Sequence, residues 1–127
     1  MLVRAVLMAS LLGGLFAAWS AWRRPPSRLR RLDLADLGIG GPAVVHFTSA
    51  TCGPCKAAAP RLSEAAGRGG VAFTQVDVGQ RPEVARAYGI RTLPTIVVAG
   101  PGGRVTGLWT VLPTDGLLDE AVRRAAG

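Results

Sequence analysis

Thr51-Cys52-Gly53-Pro54-Cys55-Lys56 holds both cysteines of a 127-residue chain. An apolar, β-branched run, Ala43 to Phe47, leads into it, and a helical pattern begins at Cys55. A Cys-x-x-Cys pair between a strand and a helix has a defined chemistry. The first cysteine falls at the helix N-terminus, where free N–H groups and the macrodipole favour a thiolate. The second lies three residues on, within disulfide reach. Pro54 suits the first helical turn, where a missing N–H costs little. A disulfide stabilises mainly by closing a long loop in the unfolded chain, and this loop is very short, so the pair serves chemistry rather than strength. Cys52 is expected to be the attacking nucleophile and Cys55 the buried resolving thiol. Other cysteine chemistries fit less well. A structural zinc site needs four ligands, and two Cys with one His cannot close one alone. Covalent haem attachment needs His after the second cysteine, where Lys56 stands. Two inert core cysteines are the remaining alternative, although the Gly-Pro between them is not helix-core material. No metal and no cofactor are expected.

Working outward, Gly38-Ile39-Gly40-Gly41-Pro42 reads as a loop. It precedes a strand and has the wrong spacing for a dinucleotide fingerprint. Before it, Leu32 to Leu37 reads as a weak first strand turning into a helical turn. The near-continuous apolarity of Ala43–Phe47 predicts a central strand buried on both faces. Cys55 to Ala66 reads as a helix with Ala57, Ala58, Leu62, Ala65 and Ala66 inward, kinked by Pro60 and ended by Gly67 to Gly70. Val71 to Val78 is a second strand. Pro82 to Tyr88 is a short helix stopped by Gly89. Thr95 to Ala99 and Val105 to Val111 form an antiparallel hairpin around Gly100-Pro101-Gly102-Gly103. A last helix runs from Thr114-Asp115 to Ala126, with Leu117, Leu118, Ala121, Val122 and Ala125 inward. The order β-α-β-α-β-β-α predicts an α/β domain, parallel at its start, with the hairpin adding an antiparallel edge.

The formal charge of +7 is placed unevenly. Arg4, Arg23, Arg24, Arg28, Arg30 and Arg31 give residues 1–32 six positive charges and no negative one, so residues 33–127 carry only +1. The high pI is therefore not the footprint of a nucleic-acid-binding face, and nucleic acid is not expected as a partner. Ala5 to Trp22 is uncharged over 18 residues, about 27 Å as a helix, which matches a hydrocarbon core. Trp19 and Trp22 sit at its end, as interfacial aromatics do. The competing reading is a cleaved signal peptide. The length of the run and the Arg-Arg directly after it favour a retained anchor. Five arginines lie within the nine residues after the span and one before it, which places the C-terminal domain in the cytoplasm. The expected organisation is a transmembrane anchor over 1–24, a basic linker over 25–32 near lipid headgroups, and one domain over 33–127.

Residues 43–127 resemble a thioredoxin. The likeness is carried by Cys52-Gly53-Pro54-Cys55-Lys56, Pro60, Val76-Asp77-Val78, Pro82-Glu83-Val84-Ala85, Tyr88-Gly89-Ile90-Arg91-Thr92-Leu93-Pro94-Thr95, and Gly102-Gly103-Arg104-Val105. The resemblance implies a three-layer α/β/α sandwich with a central mixed sheet, here preceded by a single transmembrane helix. It also implies a cis Leu93–Pro94 bond facing the cysteines across a groove where substrate backbone docks, with Thr51, Gly53, Pro54, Leu93 and Pro94 around it. The activity implied is reduction of protein disulfides, with an electron donor supplied by another protein. The chain departs from the family at several points. Thr51 and Thr48 stand where tryptophans are usual, no glycine matches the groove loop near Val111-Leu112-Pro113, and His46 and Gln75 replace a buried acid–lysine pair. In the family the acid is thought to accept the resolving cysteine's proton, and a neutral His46 could do the same. The expected protein is thus a membrane-tethered oxidoreductase on the cytoplasmic face. The alternatives are the same domain facing outward, or a non-enzymatic adaptor or redox sensor.

Overall fold

In the computed structural model, residues 1–22 and 29–127 are described. The end of the expected anchor and the first half of the expected basic linker fall on residues 23–28, outside them. The first helix, α1, spans Leu2–Trp22. It is long and apolar enough to cross a membrane by length and composition, and none of its residues is buried.

The domain is built on four strands: β1 (Ala43–Thr48), β2 (Ala72–Asp77), β3 (Thr95–Ala99) and β4 (Val105–Trp109). Their spatial order is β2-β1-β3-β4. β1 and β2 pair in parallel, as a strand–helix–strand unit requires. β3 is antiparallel to both β1 and β4. The antiparallel relation therefore begins in the middle of the sheet and not only at its hairpin edge, because β1 and β3 are the two central strands. Both are covered on two faces, which is why they read as unbroken apolar runs.

Helix α2 (Gly53–Gly69) and helix α4 (Asp115–Ala126) cover one face. There Val44, Ile96 and Val98 pack with Ala58, Leu62, Ala65, Leu118, Ala121 and Val122. On the opposite face Val45, Phe47 and Val97 pack with Leu32, Leu34, Leu37 and Ile39, and with Val84 of helix α3 (Pro82–Tyr88). The result is the three-layer sandwich with a mixed sheet. Alternate residues of β1 thus belong to different layers, and His46 shares a face with Val44, under α2.

Several boundaries differ from the sequence reading. α2 begins at Gly53, two residues early, because the Cys52 side chain caps it. It also runs through Gly67 and ends only at Gly70, whose φ of 68° closes the helix with its N–H on the Ala66 and Gly67 carbonyls. Ala57 and Leu117, both expected inward, are exposed. β4 stops at Trp109. The expected weak first strand is a single antiparallel bridge between Arg31 and Arg104, followed by a turn over residues 34–38.

Candidate active site

The cysteines sit where β1 hands over to α2. Cys52 has extended backbone geometry and is the N-cap, its sulfur accepting the Cys55 N–H at 3.2 Å. This is the position a serine or aspartate oxygen usually takes. A sulfur placed there is held toward the positive end of a 17-residue helix, which stabilises it as a thiolate once the pair is reduced. The two cysteines are joined in a disulfide, with Cα atoms 5.3 Å apart. Their exposures differ: Cys52 is half-buried and Cys55 is 1 % exposed. Only the first can meet a protein-sized partner.

The Leu93–Pro94 bond is cis, as the family resemblance implies. Pro94 is buried and heads β3, whose N-terminal end lies beside the C-terminal end of β1 through the Phe47–Thr95 pair. Pro54, Leu93 and Pro94 line one groove, walled further by Arg91, Thr92, Thr110, Val111 and Leu112, and reached by Trp22 at the end of α1. Three of the residues expected around the docking groove thus come together. Gly53 and Thr51 are exposed beside the cysteines, with the Thr51 hydroxyl 3.4 Å from that of Ser49. Arg91 is a groove residue that the sequence reading passed over. Its position three residues before Pro94 was the available signal, but nothing in the sequence marks it as exposed.

A second hollow opens on the other side of α2. Cys55, Lys56, Thr48 and Gln75 line it with Ala59, Pro60, Ser63 and Phe73. His46 lies deeper, fully buried, and pairs in register with Gln75 on β2 and Ile96 on β3. Neither ring nitrogen has a hydrogen-bond partner of regular geometry. Burial lowers its pKa below the ordinary 6.5, and the nearby Gln75 side chain offsets this in part. It is therefore a neutral imidazole at pH 7, on the face of β1 that α2 covers. No group of three or more His, Cys, Asp or Glu able to hold a metal ion occurs among the described residues.

Comparison with known proteins agrees with this geometry. A family model described as Thioredoxin matches residues 38–121. Thioredoxin H2-1 of Oryza sativa subsp. japonica is 44 % identical over 68 residues, covering 50 % of this chain and 49 % of that protein. Thioredoxin Asp f 28 of Aspergillus fumigatus is 43 % identical over 67 residues, covering 52 % and 62 %. The chain thus spans about half to three-fifths of the curated relatives it matches. Among solved structures, a reduced Schistosoma mansoni thioredoxin pre-protein superposes with a TM-score of 0.59 at 28 % identity, over 72 % of this chain and 86 % of that one.

Proposed function

Because this chain belongs to the thioredoxin family, we propose that it is a thiol–disulfide oxidoreductase that reduces protein disulfides through Cys52 and Cys55. The observation that carries this is the pair itself: one accessible and one buried cysteine at the start of α2, joined in a disulfide. In the reducing direction, the Cys52 thiolate attacks one sulfur of a substrate disulfide. The substrate S–S bond breaks, and the departing sulfur leaves as a thiolate and takes a proton. Cys55 then loses its proton and attacks Cys52, releasing the second substrate thiolate. The substrate gains two electrons and two protons, and the enzyme is left with its Cys52–Cys55 disulfide. A dithiol donor reverses that bond for the next turnover. His46 is the proposed acceptor of the Cys55 proton, Pro94 shapes the groove, and Thr51, Gly53, Pro54 and Leu93 border the substrate backbone.

We further read α1 as a membrane tether with the domain on the cytoplasmic side. Its length, the uncharged run from Ala5 to Trp22 and the arginines that follow it support this. A C-terminal reporter active only outside the cytoplasm should therefore stay silent, and a bright one would reverse the orientation. For the activity, the full chain should precipitate insulin by reducing it, and Cys52→Ser should abolish the reaction. Cys55→Ser should instead accumulate partners as stable mixed disulfides with Cys52. Turnover that survives loss of Cys52, or none in the unmodified chain, would remove the assignment.

A further inference from the structure

The two hollows that flank the cysteines share one feature. Each contains a single charged side chain, and both are cations: Arg91 beside Pro94, and Lys56 beside Cys55. No carboxylate lines either hollow among the described residues. Arg91 is exposed and takes part in no hydrogen bond or ion pair among those residues. Two acids near this end of the sheet, Asp77 and Glu83, are already engaged, and Asp115, three residues beyond Leu112, lines neither hollow. Asp77 accepts the Gly79 N–H at 2.8 Å and the Gln80 N–H at 3.3 Å, and Glu83 is paired with Arg81. Thr48 and Thr51 leave no aromatic side chain directly flanking the pair, and apart from Arg91 the first hollow is uncharged, lined by Trp22, Pro54, Leu93, Pro94, Val111 and Leu112 with two threonines. Apolar contact can grip a partner there without regard to its charge, so the one guanidinium is what distinguishes an acidic partner from a basic one.

We propose that Arg91 selects among substrates, favouring disulfides flanked by Asp or Glu over those flanked by Lys or Arg. This rests on the oxidoreductase reading and deepens it. An extended substrate strand lying along Thr92–Leu93 passes its neighbouring side chains over the guanidinium, which can hold a carboxylate bidentately. Lys56 adds a second positive charge on the other flank and steers approach without fixing geometry. An exposed ion pair gives a factor of about two to five, and more against a like charge, both shrinking in salt.

The test uses the full chain, reduced, in an uncharged detergent. It reacts in single turnover with three disulfide peptides that are identical except for Asp, Asn or Lys beside one cysteine. Rates should fall in the order Asp, Asn, Lys, with roughly a fivefold span at low salt that largely closes at 0.5 M NaCl. Arg91→Ala should collapse the Asp-to-Lys ratio toward one, and Arg91→Lys should restore part of it. Equal rates for the three peptides, or an undiminished ratio in Arg91→Ala, overturn the selectivity and leave the oxidoreductase reading standing. Failure of all three peptides to react overturns both.

Discussion

His46 is, with Thr95, one of two buried polar side chains among the described residues. It is fully buried, carries no regular hydrogen bond, and has its pKa lowered chiefly by desolvation. The unfolded chain binds a proton at this residue below about pH 6.5, while the folded chain resists doing so until a lower pH. The stability linked to His46 is therefore fully present above pH 6.5 and is lost as the pH falls through the folded value. Urea midpoints measured from pH 8 to pH 5 should decline below pH 6.5, and His46→Leu should flatten that decline. As leucine is apolar and similar in size, it should change stability little at pH 8, since both unsatisfied nitrogens go with the ring. The same variant should slow release of the mixed disulfide and leave Cys52 alkylation nearly unchanged. An equal slope in both proteins would show that His46 is not the titrating group. The importance of His46 was legible only through its position six residues before Cys52. Its complete burial was not, because a sequence does not state which helix closes over a strand.

At the scale of elements, the best-read segments carry turn chemistry at both ends. Pro82 and Gly89 bound α3 at the residues expected. α2 was read short because four glycine-rich residues, 67–70, look like a stop. The helix crosses them because its last turn packs on α4. Arg68 pairs with Asp119 at 2.9 Å, and a Cβ on Gly69 would run into the Val122 side chain. That glycine is a point of close approach, not a break. Gly67, two residues earlier, faces open space. Gly67→Ala should therefore stabilise the domain by about 0.5 kcal/mol through helix propensity. Gly69→Ala should destabilise it by about 1–2 kcal/mol, as overpacking outweighs the same gain. Chemical denaturation of the two variants checks this, and a shared sign would show that the α2–α4 contact yields freely. Leu117 shows the converse limit: an amphipathic pattern gives the width of an apolar stripe but not which edge the sheet covers. Strand direction is likewise absent from an alternating pattern, so β3 running antiparallel to β1 had to come from the fold.

For the whole molecule, the sheet separates two jobs. One end, where β1 finishes and β3 starts, carries Cys52, Cys55 and Pro94. The other, where β3 finishes and β4 starts, receives the chain arriving from the N-terminal segment. A six-residue strand spans about 20 Å, so the chemistry and the point of entry are well apart on the domain. The two cysteines were legible from spacing alone. Pro94 was legible only through resemblance, and the composition of the groove wall only from the structure, since its residues come from four separate stretches of chain.

That point of entry has a practical consequence. The Leu32 N–H donates to the Gly103 carbonyl at 2.8 Å, and the Val105 N–H to the Arg30 carbonyl at 3.0 Å, so residues 30–32 form a short antiparallel clasp on β4. Leu32 is 2 % exposed within the core, and Gly103 lies so close beneath it that a Cβ would strike the Leu32 carbonyl. The last few residues before Asp33 are thus part of the folded body. A protease that releases the domain should cut on the N-terminal side of Leu29. A recombinant form starting at Leu29 should melt several degrees higher than one starting at Asp33, which lacks both the clasp and a buried leucine. Equal melting temperatures would mean that the clasp contributes nothing to holding the domain together. Cleavage at this site would leave the folded domain whole, with both cysteines in place.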